Sequence, residues 1–172
     1  MRLSHLITLV LALVVTGGCA APESTPEPTV TPTPVSIPVY IAEVVTTLDF
    51  IRDTLKVAGD ASQSLADDKI TRQEYKEMAV AGKRNLETAE NKMGSMIPPP
   101  ESAGPASFEE LHKYLMLGIK WYKKAFDEMI EYGNDGRLSH IQNATNYIEN
   151  HGDPYINTVK IELRILEKEF LK

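Results

Sequence analysis

The sequence predicts an all-α fold: a single up-down-up-down four-helix bundle that follows a cleaved signal peptide and a Pro/Thr-rich linker. Apolar residues recur at spacings of three and four along most of the chain after residue 37, which is typical of helices with one buried face. No stretch alternates apolar and polar residues as a half-buried strand does. The remaining segment of about 135 residues, 38–172, is long enough for one domain with its own core. Short connections between long helices favour antiparallel neighbours.

The first two helices are predicted from their apolar repeats. The first repeat consists of Ile37, Ile41, Val44, Leu48, Ile51, Leu55, Ala58, Ser62 and Leu65. Thr71 and Glu74 fit a capping box, which predicts the start of the second helix. Its repeat consists of Tyr75, Ala79, Gly82, Leu86, Ala89, Met93 and Met96. Small residues dominate this second face, so we expect a neighbouring helix to come close or to insert large side chains.

The third helix is predicted to supply those large side chains. Pro98, Pro99 and Pro100 end the second helix, and Ser107 with Glu110 fits a second capping box. The apolar repeat that follows consists of Phe108, Leu111, Leu115, Gly118, Ile119, Tyr122, Phe126 and Met129. Aromatic rings opposite Ala and Gly would interdigitate at native packing density.

The fourth helix is predicted to begin after the segment 133–136, where a left-handed glycine ends the third helix and Asp135 caps the next. Its repeat consists of Leu138, Ile141, Thr145, Ile148, Ile156, Val159, Leu163, Leu166 and Phe170. The phase of the repeat slips around residues 151–154. Because Pro154 lacks a backbone donor, we expect either a kink or a break with Asp153 as a new cap.

The amino-terminal segment indicates export. An apolar run of about ten residues follows Met1 and Arg2, which suits a signal-peptide core and is too short to cross a bilayer. Gly17, Gly18 and Cys19 come next. This segment resembles the lipobox of prokaryotic lipoproteins, whose invariant cysteine receives a diacylglycerol before cleavage. The resemblance implies a signal peptide over residues 1–18, a lipid with acyl chains such as palmitate on Cys19, and a membrane anchor.

Two further observations favour lipid attachment over ordinary secretion with cleavage after Ala21. Cys19 is the chain's one cysteine, so it has no partner for an internal disulfide, and lipidation would consume its thiol. Residues 19–37 then form a linker rich in Pro and Thr. Such a segment prefers an extended polyproline II conformation at about 3.1 Å per residue, so it would hold the bundle up to about 55 Å from the lipid. The predicted location is the extracytoplasmic face of the cell membrane, or the outer membrane if the host is diderm.

Charge and composition limit the partners. The full chain carries 18 Lys and Arg against 24 Asp and Glu, a net charge of −6, which opposes nucleic-acid binding and predicts no polybasic patch for lipid head groups. We therefore expect the membrane link to be covalent and the partner to be an envelope protein or polymer. Trp121 and Tyr122, next to Lys120, Lys123 and Lys124, are the predicted partner contact.

Motifs that could carry chemistry are sparse. Glu109 and His112 have the Glu-x-x-His spacing of di-iron bundles, but such sites require the pair twice and it occurs once. His140 and His151 are eleven residues apart, about 16 Å along a helix, so one ion would not bridge them. We therefore predict no enzyme, no cofactor and no metal site. Asn143 begins an Asn-Ala-Thr triplet, a candidate glycosylation site in a host with that machinery.

These observations predict a membrane-anchored lipoprotein that acts as a non-enzymatic interaction or scaffold module at the cell envelope. The alternative is a binding module for a small apolar ligand or a soft metal held between the helices, where Gly82, Gly118 and the region near Pro154 would leave packing open. A di-iron or haem oxidoreductase is the least favoured class.

Overall fold

The protein is an all-α four-helix bundle, as the sequence predicts. The computed structural model describes residues 33–103 and 105–171, so Cys19, the predicted signal peptide and most of the predicted linker lie outside the described residues. The elements are α1 (Ile37–Ala66), α2 (Arg72–Gly94), β1 (Ser102–Ala103), β2 (Ala106–Ser107), α3 (Phe108–Asp135), α4 (Leu138–Tyr147), a π-helical turn (Ile148–Gly152) and α5 (Asp153–Phe170). α4, the π turn and α5 follow one another without interruption and together form the fourth helix of the bundle.

α3 is the central packing element. It packs against α2 on one side and against α4, the π turn and α5 on the other, while α1 packs mainly against α2. Tyr40 in the first turn of α1 meets Phe108 at the start of α3, with ring centroids 5.6 Å apart, and Phe108 meets Phe170 at the end of α5, also at 5.6 Å. We call the end of the bundle that these three rings define the proximal end, because the chain enters α1 there. Within the described residues no helix is long and apolar enough to cross a membrane.

The buried face of α1 is rotated from the predicted stripe. Ile41, Val44, Ile51 and Ala58 of the predicted repeat are buried, whereas the leucines of that repeat are only half-buried. The core positions are completed by a second line of residues, Tyr40, Thr47, Thr54 and Ala61. Two members of this line are threonines, whose side chains are small, and Thr54 Oγ1 accepts from Asn85 Nδ2 of α2 at 3.5 Å.

The first capping box forms as predicted, and the second forms in part. Thr71 N donates to Glu74 Oε2 at 2.7 Å and Glu74 N donates to Thr71 Oγ1 at 3.2 Å, which satisfies two free donors at the start of α2. At α3, Glu110 N donates to Ser107 Oγ at 3.1 Å. The reciprocal bond is not among the side-chain bonds of the described residues. The Glu110 carboxylate instead lies near Glu162, whose pKa is raised first by burial and then by Glu110.

α2 and α3 interdigitate as the sequence predicts. Ala79, Gly82, Leu86 and Ala89 of α2 are all buried. The ring of Phe126 occupies the space over Gly82 so closely that a Cβ added at Gly82 would overlap three ring carbons. Small residues on one helix and a large aromatic residue on the next therefore let the two backbones approach at core density.

The turn between α3 and α4 differs from the prediction. Gly136 is the left-handed residue, with φ 76°, and ends α3. Asp135 is not the cap of α4: it is the last residue of α3, and the residue preceding α4 is Arg137, which makes no side-chain cap. The Asp135 carboxylate instead accepts from Arg137 N at 2.9 Å. The reason is that the glycine reverses the chain one residue after Asp135, which places the first free donor of the turn within its reach.

The fourth helix is neither broken nor capped at Asp153. The backbone stays helical through Gly152, with φ −68° and ψ −55°, and Asp153 N donates to the Ile148 carbonyl, five residues back. Pro154 has no N–H to give to the Asn150 carbonyl, and the helix accommodates this by widening into a π turn just before the proline. The extra residue in that turn accounts for the slipped phase of the apolar repeat.

A short β-hairpin was not predicted. Ser102 pairs with Ser107 and Ala103 with Ala106 in an antiparallel ladder, and Phe108 N donates to Glu101 O at 3.5 Å. Strands of two residues are too short to show the period-two pattern by which strands are recognised in a sequence. The hairpin packs against α5 near the proximal end.

Candidate functional site

The predicted contact residue Trp121 lies at the centre of a surface cluster beside the π turn. Its indole stacks on the His151 imidazole with centroids 4.2 Å apart and planes 17° apart. The Tyr147 ring lies 5.6 Å from the indole, and Lys124 Nζ lies 4.2 Å from the indole centroid. We call Trp121, Lys124, Tyr147 and His151 the Trp121 cluster. It joins α3 to α4 and to the π turn, with its three rings half-buried and Lys124 exposed.

Tyr122 does not share this surface. Its side chain is 2% exposed, in keeping with its place in the apolar repeat, so it offers no ring face to a partner. Its hydroxyl donates to Asp153 Oδ1 at 2.6 Å. Burial, followed by this bond and the negative charge of Asp153, raises the pKa of Tyr122 far above its usual range. The hydroxyl therefore stays protonated and fixes the first residue of α5 to α3 from beneath the Trp121 cluster.

The backbone at the π turn lies close to α3. A Cβ at Gly152 would overlap the Tyr122 ring, and a Cβ at Gly118 would come within 2.6 Å of the Ile156 side chain. These two glycines let the π turn and the start of α5 pack directly onto α3. The cluster therefore rests on a close backbone contact, which fixes the positions of its rings.

A second ring pair extends the aromatic surface towards the proximal end. Tyr114 of α3 stacks on Tyr155 of α5 with centroids 6.0 Å apart and planes 23° apart, and both rings are half-buried. Tyr114 and Trp121 are seven residues apart, two turns along one face of α3. The groove between α3 and the fourth helix thus presents two cross-helix ring stacks.

The turn between α3 and α4 lies at the end of the bundle opposite the proximal end, and we call these the distal turn and the distal end. Residues at the distal turn form a charged network. His140 Nδ1 lies 2.6 Å from Glu128 Oε2 and His140 Nε2 lies 3.3 Å from Asp135 Oδ2. The hydrogen bond with Glu128, followed by that with Asp135, raises the pKa of His140. Asn143, the candidate glycosylation residue, is exposed on α4 and donates from Nδ2 to Glu128 Oε2 at 3.3 Å. Its modification stays a prediction.

The two residues with the Glu-x-x-His spacing lie in different surroundings. Glu109 is exposed, whereas His112 is half-buried and its Nδ1 lies 2.9 Å from the Tyr40 hydroxyl. Burial lowers the pKa of His112 and raises that of Tyr40. In residues 33–103 and 105–171 no three His, Cys, Asp or Glu side chains are grouped so that they could hold a metal ion.

The sites at which packing was expected to open are mostly filled. Phe126 covers Gly82, Ile156 covers Gly118, and Tyr122 covers the backbone before Pro154. One open cleft of about 250 Å³ lies on the outer side of Gly82, between α1 and α2. Its lining residues include Phe50, Val57 and Met78, which are partly exposed.

Tyr147 and His151 are the members of the cluster that sequence reasoning missed. The sequence predicted a kink or a break near Pro154 rather than a π turn, and the π turn changes which residues face α3. The phase slip before Pro154 was the available signal, because an inserted residue rotates everything beyond it.

Comparison of the chain with protein-family models, with curated proteins and with solved structures found no match.

Proposed function

We propose that this protein is a lipid-anchored, non-enzymatic interaction or scaffold module of the cell envelope, tethered through Cys19 and presenting its helical bundle to an envelope protein or polymer. The observation that carries the proposal is the lipobox-like segment ending at Cys19, followed by a Pro/Thr-rich stretch that leads into α1. A tether and an extended spacer are useful to a domain that must reach a partner at a distance from the membrane. The bundle would be held by its proximal end.

The Trp121 cluster and the adjoining Tyr114–Tyr155 stack support a contact role for the groove between α3 and the fourth helix. Trp and Tyr are enriched where binding energy concentrates in protein interfaces, since they offer a large rigid area with a polar atom at one end. The stacked rings are already ordered, so binding would cost little side-chain entropy. Lys124 adds a positive charge beside the rings.

The anchor is tested by expressing the full chain and its Cys19→Ala variant in a bacterium that processes lipoproteins. The expected result is a wild-type product that begins at Cys19, carries added acyl mass by intact-mass spectrometry and partitions into detergent. The variant should lack the mass and stay in the aqueous phase. A wild-type product that begins elsewhere, or that has no acyl mass, would contradict the proposal.

The contact surface is tested with a photo-crosslinking residue introduced at Lys120, beside the cluster, and in a second protein at Lys56, on the exposed side of α1. Crosslinking in intact cells should give one recurrent adduct from position 120 that disappears when Trp121→Ala is added. The label at position 56 is the matched control. Equal adduct patterns from both positions would argue against a contact at the Trp121 cluster.

The cleft of about 250 Å³ between α1 and α2 favours a second candidate, a module that binds a small apolar ligand. The volume of this cleft is slightly below the range of about 300–1,000 Å³ that is common for ligand pockets. The ligand would therefore be small or would protrude. Native mass spectrometry of membrane-extracted protein distinguishes the two candidates. A recurrent stoichiometric small molecule that is lost in an Ala81→Leu variant, which narrows the cleft from an exposed position, would favour the ligand-binding module.

A further inference from the structure

The outer face of α5 carries a row of basic side chains. Lys160, Arg164 and Lys168 are spaced four residues apart, so they lie on one face of the helix, and all three are exposed. In the part of the chain that the structure describes, none of them forms an ion pair. Of the acidic residues in the same stretch of the helix, Glu162 and Glu167 are half-buried and Glu169 is exposed, and helical spacing places Glu162 on the side opposite Arg164. An otherwise acidic protein therefore presents a local positive face.

Apolar side chains lie among these cations. Ile161 is 61% exposed and Leu171 is 47% exposed. A helix face that combines basic residues with exposed apolar ones is typical of segments that lie at the surface of a membrane. Lysine and arginine stems can extend so that the charged ends meet head groups while the apolar residues lie deeper.

The row of cations leads into an open cleft on the bundle. This cleft has a volume of about 860 Å³ and lies between the β-hairpin and the last turns of α5. Its lining residues include Arg164, Lys168 and Ser102, whose side chains carry hydrogen-bond donors, and the apolar residues Pro105 and Phe170. Glu169 also lines it. Side chains that can donate to a phosphate match the head group of a phospholipid. The apolar residues beside them match the region where its glycerol joins the acyl chains.

The position of this face on the bundle agrees with such a contact. Phe170, at the end of α5, meets Phe108 at the proximal end, where the chain enters α1. The last turns of α5 therefore lie at the end of the bundle to which the tether leads. A tether holds the face near the membrane at high effective concentration, so a weak contact with lipid is sufficient to dock it.

We propose that the outer face of α5, from Lys160 to Leu171, docks on anionic phospholipid, with the lipid phosphate at Arg164 and Lys168 in the cleft beside the β-hairpin. This inference rests on the proposed lipid anchor and adds an orientation to it: the bundle would lie on the membrane through α5. The Trp121 cluster, which joins α3 to the beginning of the fourth helix, would remain available to a partner.

The test uses the full lipidated chain in vesicles, because Cys19 is then blocked and an engineered cysteine is unique. A fluorophore on Asn157→Cys reports the α5 face, and one on Ser139→Cys reports the distal end. With lipids that carry a quenching spin label, the 157 position should be quenched more than the 139 position in phosphatidylglycerol-containing vesicles. In pure phosphatidylcholine vesicles the difference should largely disappear.

Charge variants assign the contact to the proposed residues. Each cation near an anionic surface increases binding about fivefold, so R164Q/K168Q should lower the docking equilibrium on the order of 25-fold. The control R84Q/K120Q removes two exposed cations from the middle of α2 and α3 and should change little. All variants lie at exposed positions, and their helical circular dichroism should match that of the parent chain.

Three results would overturn the inference. Equal quenching of the two labels on anionic vesicles would show no orientation. Equal loss of docking in R164Q/K168Q and R84Q/K120Q would show a response to net charge alone. Loss of quenching when inorganic phosphate is added at constant ionic strength would assign the cleft to a soluble anion. Failure of the anchor itself is separately visible, because unlipidated protein lacks the acyl mass and does not float with the vesicles.

Discussion

Trp121 of α3 and His151 of the π turn stack with centroids 4.2 Å apart and planes 17° apart. The residues are thirty positions apart in the chain, and the stack joins the central helix to the one irregular turn of the fourth helix. Below it, the Tyr122 hydroxyl donates to Asp153 Oδ1 at 2.6 Å. Two contacts of different chemistry therefore fix the π turn to α3 from outside and from inside.

The first prediction concerns the environment of Trp121, the chain's one tryptophan. His151→Ala removes the stacked ring and exposes one face of the indole to water. We expect a red shift of tryptophan emission and stronger quenching by acrylamide. His140→Ala, which removes an imidazole remote from the indole stack, is the control and should leave emission unchanged. An unchanged spectrum in the His151 variant would show that the stack does not persist in solution.

The second prediction uses two glycines in contrasting surroundings. Gly152→Ala places a methyl group against the Tyr122 ring, whereas a Cβ at Gly59 meets no atom within 4 Å. Overpacking should lower the free energy of unfolding of the Gly152 variant by about 1–3 kcal/mol. The Gly59 variant should gain about 0.5–1 kcal/mol from helix propensity. Urea denaturation of both proteins measures the difference, and equal effects would contradict the close contact at the π turn.

The third prediction tests the interdigitation of α2 and α3. Gly82→Ala should destabilise the bundle by about 1–3 kcal/mol, because the new methyl group overlaps the Phe126 ring. Phe126→Leu alone leaves space over the glycine and is also expected to destabilise. In the double variant the leucine makes room for the alanine methyl, so the combined loss should be smaller than the sum of the single losses by about 0.5 kcal/mol or more. Strict additivity would indicate that the two side chains do not meet.

The fourth prediction is a pH dependence at the distal turn. The hydrogen bonds with Glu128 and Asp135 raise the pKa of His140. The stabilisation that these bonds give is complete below the unfolded-state pKa of about 6.5. This stabilisation is lost as the pH rises through the higher folded-state pKa of His140. The pKa of Asp135 is lowered, first by the bond from Arg137 N, so the Asp135 contribution is lost only in stronger acid, below its usual value of about 3.9.

Chemical denaturation of wild type and His140→Gln checks this pH dependence. The stability difference between the two proteins should be largest in mild acid, at about pH 5–6, and should shrink in mild alkali. The control is Ser139→Ala, a substitution at an exposed residue of the same turn. Its stability difference from wild type should not change with pH. A His140 difference that grows as the pH rises would contradict the ion-paired geometry.

Helix positions and most of the core could be predicted from the sequence because they depend on local rules. The three- and four-residue spacing defines one face of a helix whatever packs against it, and the capping box at Thr71 involves residues only three apart. The buried residues Tyr75, Leu86, Phe108 and Leu115 were all in the predicted repeats. The short β-hairpin escaped prediction because its strands are only two residues long.

The candidate site depended on information that local rules do not contain. Trp121 was singled out by its amino-acid type, but its neighbours Tyr147 and His151 belong to a helix whose register is shifted by the π turn. Tyr122 was named beside it, and only the packing of α3 shows that the two adjacent residues face the surface and the core, respectively.

The sequence by itself determined the class of fold, most limits of the long helices and the small-to-large fit of α2 with α3, and it is the basis on which a lipid tether at Cys19 is proposed. These follow from spacing, residue size and a short motif. Only the tertiary structure decided the rotation of α1 that buries Tyr40 and Thr47, the π turn in place of the kink or break expected near Pro154, and the cleft beside the exposed cations of α5. The rotation of α1 and the cleft beside α5 result from contacts between residues distant in the chain, whose free energy depends on how whole helices pack. The π turn combines a local cause, the missing N–H of Pro154, with the close packing of Gly152 on Tyr122 of α3.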